Sequence, residues 1–127
     1  PVPDAEALCA KLNREGEVDA VITKDNDFFL FGGKTQISVY NLNDLDTPWR
    51  VTDIDTILTL SGLTFDMFYT MCIMLGTDYS VRYRNYGPVR SYKTVKEDPK
   101  LDHVKLPDDF YAITRMKEAV ELFSCVH

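Results

Sequence analysis

The stretch VITKDNDFFLFGG, residues 21–33, constrains this chain more than any other. Val21-Ile22-Thr23 has the β-branched character of a buried strand. It runs into Asp25-Asn26-Asp27, and Phe28, Phe29, Leu30 and Phe31 follow at once. Two carboxylates held close together repel, and both stay charged only in open water or beside a cation. The pair by itself is not diagnostic. The chain has 20 acidic residues in 127, and Asp-x-Asp recurs at Asp44/Asp46 and Asp53/Asp55. A solvated loop is the plain alternative, and the rest of the chain has to decide.

The periodicity predicts a helix over Asp4–Arg14, with Ala5, Leu8, Cys9 and Leu12 on one face, started by Pro3 and Asp4 and ended by Gly16. A strand over Val18–Thr23 follows, then a helical turn over Asp27–Phe31 closed by Gly32-Gly33, a second strand over Gln36–Tyr40 and a loop over Asn41–Pro48. Arg50-Val51 suggests a brief strand, and Thr52 with Asp55 a box-like start for a helix over Ile54–Leu60. Gly62 ends that helix. Thr64 caps the next, with Phe65, Phe68, Cys72 and Leu75 on one face, Gly76 at its end and Asp78-Tyr79 directly after. This order predicts an α/β layered domain with a mostly parallel sheet.

The character changes after Tyr79. Arg82, Arg84, Arg90, Lys93 and Lys96 crowd together with Tyr83, Tyr86 and Tyr92, and Pro88 suits a first helical position. Asp98–Leu106 reads as a polar connection. Pro107 opens a last helix, with Phe110, Ile113, Val120 and Phe123 spaced for one face. The expected division is therefore an α/β core over 1–79 and a helical segment over 80–127.

The net charge of −6 argues against a surface built uniformly for nucleic acid, but not against a local basic patch beside an acidic site. No apolar run is long enough to span a bilayer, so no membrane partner is expected. Cys9, Cys72 and Cys125 lack metal-binding spacing and read as reduced thiols, which suggests an intracellular protein. His103 and His127 stand apart. The opening PVPDAEAL, without an initiator Met, suggests a processed or excised piece.

Three acidic groups then fall at element ends: Asp4 and Glu6 at a helix start, Asp25 and Asp27 at a strand's carboxyl end, and Asp78 past a helix end. Ligands of open α/β sheets gather at the carboxyl ends of strands. Hard oxygen donors there select Mg²⁺ or Mn²⁺, and a pair of such ions suits phosphodiester displacement.

These residues carry a resemblance. Pro3-Asp4-Ala5-Glu6-Ala7, TKDNDFFLFG, MLGTDY and YGPVR resemble, in order and spacing, the internal region of the flap endonuclease/XPG family of structure-specific 5′ nucleases. The likeness runs from Asp4 to about Arg90. It implies a PIN-like (5′-3′ exonuclease-like) layered α/β domain over 1–79, followed by a segment like a helix–two-turn–helix. It implies a divalent-metal-dependent nuclease acting on branched or flapped duplex DNA, nuclear in a eukaryote. The catalytic positions are Asp4, Glu6, Asp25, Asp27 and Asp78, with Glu6, Asp25, Asp27 and Asp78 as ligands of two Mg²⁺ or Mn²⁺ ions. Asp4 stands where the family has Glu, one methylene longer, and is not counted as a direct ligand.

The DNA-binding positions implied are Arg84, Tyr86, Gly87, Arg90 and Lys93, with K⁺ held by carbonyls of the same loop. Asn85 replaces the first Gly of the family's G-x-G-P, and Asn tolerates the left-handed backbone better than most residues. The family also carries an N-terminal half with the first sheet strand, further catalytic aspartates and a basic arch, which is expected as a partner of this chain. A non-catalytic domain of the same fold, binding nucleic acid or protein, is the alternative.

Overall fold

The computed structural model describes residues 5–24, 26–39, 43, 46 and 48–124. Two compact units divide the chain, one of Pro1–Leu60 with Ser124–His127, the other of Ser61–Phe123.

The first unit opens on helix α1, Ala5–Arg14, with Ala7, Ala10 and Asn13 buried. Gly16 ends it with φ +81, a backbone state that favours glycine. Strand β1 is only Val21–Ile22, shorter than the expected Val18–Thr23. A 3₁₀ turn, Asn26–Phe29, leads to β2, Thr35–Val39, and β3, Trp49–Asp53, leads directly into α2, Ile54–Ser61. The expected strand end at Tyr40 and most of the expected loop over 41–48 lie outside the described residues, as does Cys125.

The sheet has the order β1-β2-β3. β1 runs parallel to β2, through Val21↔Gln36 and Ile22↔Ile37. β3 runs antiparallel to β2, from Thr35↔Asp53 to Val39↔Trp49. The described sheet is therefore mixed, not mostly parallel. The connection over residues 40–48 is too short to carry a crossover helix, so β3 can only return antiparallel. β1 is also less buried than its sequence suggests, with Ile22 56% exposed. Nor does Thr52 cap α2. It belongs to β3, and Asp53 Oδ1 accepts the Asp55 N–H at 2.9 Å.

Asn13 ties this unit together. Its Oδ1 accepts the N–H groups of Lys34 and Thr35 at 2.8 and 2.9 Å, and its Nδ2 donates to Val18 O at 3.1 Å. One buried amide thus joins the end of α1 to the approach to β1 and the start of β2. Arg14 adds a bond from Nη1 to Phe31 O at 2.7 Å.

In the second unit, Thr64 caps α3, Phe65–Leu75, by accepting Met67 N–H, and Gly76 ends it, both as expected. Helix α4, Pro88–Glu97, begins at Pro88 and packs against α3. Tyr92 Oη donates to Ser61 O at 2.7 Å and Lys96 Nζ to Gly62 O at 2.8 Å. The polar connection after α4 is knotted by Asp98, which accepts Asp102, His103 and Val104 N–H at 3.2, 2.7 and 2.7 Å. The single last helix expected from Pro107 is two, α5 over Phe110–Thr114 and α6 over Met116–Ser124, broken at Arg115 with φ +58. The break changes which residues turn inward. Phe110, Thr114, Met116, Ala119 and Phe123 are buried, whereas Ile113 and Val120 are 46% and 39% exposed. No helix among the described residues is long and apolar enough by itself to cross a membrane. Cys9 and Cys72 are both half-buried.

Asn13→Ala removes all three amide bonds and is expected to cost about 2 kcal/mol, as buried backbone partners lose their hydrogen bonds. Denaturant unfolding measures it, and a loss within about 0.5 kcal/mol, the range of an ordinary surface change, would contradict the tie. Asp98 yields a pH prediction. The His103 N–H foremost, with those of Val104 and Asp102, holds its carboxyl below the ordinary aspartate value, outweighing the opposing effect of burial. Between that depressed value and the ordinary one the unfolded chain binds more protons, so stability rises with pH there. The contribution is full above the ordinary aspartate value and lost as pH falls through the depressed one. Asp98→Asn is expected to be less stable than wild type at neutral pH, with the difference narrowing as both are acidified.

Candidate functional site

Glu6 lies in the first turn of α1, where the helix dipole favours negative charge. Each of its carboxylate oxygens is 3.2 Å from Thr23 Oγ1, whose hydroxyl donates between them. Thr23 stands immediately after β1, and its N–H donates to Ile37 O at 3.1 Å. The hydroxyl is thus fixed to the sheet and the carboxylate to the hydroxyl. Sequence reasoning did not count Thr23 as a site residue, although it heads the TKDND motif.

Asp27 lies in the 3₁₀ turn that follows. Its carbonyl accepts Leu30 and Phe31 N–H at 2.9 and 3.1 Å, and the residue is only 6% exposed. The four apolar residues after it hold it there. Phe28, Phe29, Leu30 and Phe31 are all at most 4% exposed, and the first two rings meet edge to face at 5.3 Å. They draw the turn into the core and carry the carboxylate with it. Gly33 completes the closure, since a Cβ there would run into the Phe28 ring.

Asp4 and Asp25 lie outside the described residues. Asp78 is exposed and belongs to the second unit, in a tight turn where Thr77 and Ser80 exchange backbone bonds at 3.1 and 3.4 Å and their hydroxyls meet at 2.9 Å. The structure therefore sets Glu6 and Asp27 beyond the carboxyl end of β1 and Asp78 in the second unit. Among the described residues no three carboxylate, imidazole or thiol groups cluster as a metal site. The donor chemistry nevertheless fits a hard divalent cation, because every side chain concerned offers carboxylate oxygen.

The basic segment forms a turn between α3 and α4. Tyr86 N–H donates to Tyr83 O at 3.0 Å, and Asn85 has φ +71, the left-handed state that an Asn in this place was expected to tolerate. Gly87 caps α4, and nothing beyond its own chain neighbours lies within 4 Å of where its Cβ would stand. Arg84, Arg90 and Lys93 are exposed. Tyr86 is not. It is 3% exposed, against Tyr83 at 6.0 Å and Phe110 at 5.3 Å between ring centroids. Tyr83 Oη donates to Asp109 Oδ1 at 2.7 Å, and this bond above all holds its phenol above the ordinary tyrosine value.

These features define an α/β domain with acidic residues beyond the carboxyl end of its first strand. The catalytic core of Rad2 matches it with a TM-score of 0.69 and 30% identity, over 97% of this chain and 44% of that one. Human GEN1, solved with Holliday junction DNA, matches with a TM-score of 0.65 and 26% identity, over 97% of this chain and 32% of that one. The chain belongs to the XPG family, whose I-region model matches residues 2–78. Flap endonuclease 1 of Enterocytozoon bieneusi (strain H348) is 36% identical over 126 residues, 94% of this chain. The chain spans only 34% of that relative's length.

Gly33→Ala is expected to destabilise the first unit by about 1–3 kcal/mol, because the Phe28 ring must leave its rotamer or the turn must shift. Urea unfolding tests this. An unchanged midpoint would show that the ring moves freely and that the Asp27 turn is not fixed as described.

Proposed function

We propose that this chain supplies the metal-holding internal region of a structure-selective nuclease that hydrolyses phosphodiesters in branched or flapped duplex DNA. The observation that carries this reading is the Glu6 carboxylate, oriented by the Thr23 hydroxyl beyond the carboxyl end of β1, with Asp27 fixed in the turn that follows. Glu6, Asp25, Asp27 and Asp78 would hold Mg²⁺ or Mn²⁺, two ions in all, and Asp4 would act through water rather than as a direct ligand. Bound there, the ions would supply Lewis acidity and a nucleophilic water at neutral pH.

The protein's own share is orientation. Thr23 limits the rotation of the Glu6 carboxylate, and such supporting bonds govern how firmly a ligand is presented. The Phe28–Phe31 anchor does the same for Asp27. On the second unit, the segment from α3 to α4 is the counterpart of a helix–two-turn–helix. Its left-handed Asn85 shapes the turn, whose carbonyls are the candidate K⁺ ligands. Gly87 has no internal neighbour that demands glycine, so its open backbone suits close approach of a phosphate. Arg84, Arg90 and Lys93 would pair with phosphates and confer affinity and register rather than sequence preference. Functionally the chain then divides near Tyr79, metal-holding before and DNA-gripping after. Such an enzyme would work in the nucleus of a eukaryotic cell.

The remaining ligands and the basic arch would come from an N-terminal half of the family type, so residues 1–127 alone are expected to be nearly inactive. The test is cleavage of a panel of flapped, bubbled and four-way DNAs by this chain, with and without such a half supplied. Mg²⁺-dependent cutting is expected only in the completed protein. Asp27→Ala or Asp78→Ala should abolish it, and Thr23→Val should weaken Mn²⁺ binding by about tenfold. Tight DNA binding by the completed protein with no cleavage would instead support a non-catalytic domain. Robust cutting by residues 1–127 alone would overturn the division of labour.

A further inference from the structure

The basic turn holds a contact that phosphate gripping alone does not require. The guanidinium of exposed Arg90 lies over the ring of Tyr86, with Cζ 4.1 Å from the centroid. Its Nη2 is 3.4 Å from Tyr86 Oη, a long hydrogen bond that adds direction to the stacking. Tyr86 itself cannot move to suit DNA. Its ring is wedged against Phe110 and Tyr83, which is tethered by its hydroxyl to Asp109, and its carbonyl accepts from the buried Ser91 hydroxyl at 3.3 Å. A free arginine samples many rotamers and must give them up when it binds a phosphate. An arginine already laid on a rigid ring has less to lose, and stacking leaves the edges of its planar fork to donate.

We infer that Tyr86 is a positioning residue for Arg90: it does not touch DNA but fixes the guanidinium in the orientation that meets a backbone phosphate. This rests on the DNA-gripping role proposed above. It assigns the buried tyrosine of the Asn85-Tyr86-Gly87 turn a function that its burial would otherwise deny.

The test measures binding of residues 1–127 to a fluorescent branched duplex across a salt series. Arg90→Gln is expected to lower the slope of log K against log salt by about 0.9, the loss of one phosphate contact. Tyr86→Leu leaves the charge in place, so it should keep most of the slope but bind about two- to fivefold more weakly at a fixed salt concentration, and it should add nothing in the Arg90→Gln background. Tyr86→Phe keeps the aromatic face and should stay near wild type. Arg90→Lys keeps the charge but loses the stacked fork, and should bind about two- to fivefold more weakly at a fixed salt concentration.

Proton NMR of the free protein supplies a readout independent of DNA: the Arg90 side-chain resonances should be ring-shifted in wild type and Tyr86→Phe, and not in Tyr86→Leu. If Arg90→Gln changes neither affinity nor slope, the DNA-gripping reading itself fails. If Arg90→Gln acts while Tyr86→Leu binds as tightly as wild type, only the positioning role is overturned. Should Tyr86→Leu not fold, wild-type affinity in Arg90→Lys or the absence of a ring shift in wild type would overturn it instead.

Discussion

The first unit depends on one buried amide. Asn13 is the last buried residue of α1, and its amide reaches both the segment before β1 and the start of β2. A carboxamide is the group that can accept from one segment and donate to another at once. Here it accepts from Lys34 and Thr35 and donates to Val18. Those bonds set where β2 begins relative to α1. They thereby set the span available to residues 21–33, which carry the acids. A hydrophobic residue in this place would fill the space and leave three backbone groups without partners, so the core is held here by polar satisfaction as much as by apolar burial.

The site inherits its precision from residues that do no chemistry. Four consecutive apolar side chains after Asp27 leave no surface-seeking residue that could pull the turn outward. The awkward juxtaposition of carboxylates and phenylalanines is thus its own explanation: desolvated rings fix the backbone, and the fixed backbone holds the charge in place. The Thr23–Glu6 bond works on the same plan from the opposite side, taking a flexible side chain on a helix and referring it to the sheet. Preorganisation of this kind lets a site spend little ordering entropy when a cation or phosphate arrives.

Much of this was legible in the sequence because it is local. Thr64, Gly76 and Pro88 declare helix ends through their own backbone preferences, and the structure places each where those preferences put it. Asn85 in the left-handed state is of the same kind. What was not legible is what depends on partners far along the chain. Nothing in the pattern of α1 distinguishes Asn13 from a solvent-facing residue, because its partners lie up to 22 positions away. Thr23 looks like an ordinary β-branched strand residue until Glu6 is set against it. Asp98 reads as one more charge in a polar connection, although three amides converge on it. The antiparallel return of β3 was hidden by the assumption that alternating helices and strands imply a parallel sheet. The short link over residues 40–48 overrules that pattern.

The bend at Arg115 was also missed, since Phe110, Ile113, Val120 and Phe123 keep a helical spacing right through it. A non-glycine residue in the left-handed state stores roughly 1–2 kcal/mol, which the surrounding contacts must outweigh. They include the bond from Val81 N–H to Thr114 O at 2.9 Å, which holds the corner to the segment after Ser80. A sequence that would run straight is therefore kept folded like a sprung latch. Arg115 shares this state with Asn85 and Leu101, so the second unit carries three such non-glycine corners, each kept by the contacts around it and each a place where local opening releases backbone strain.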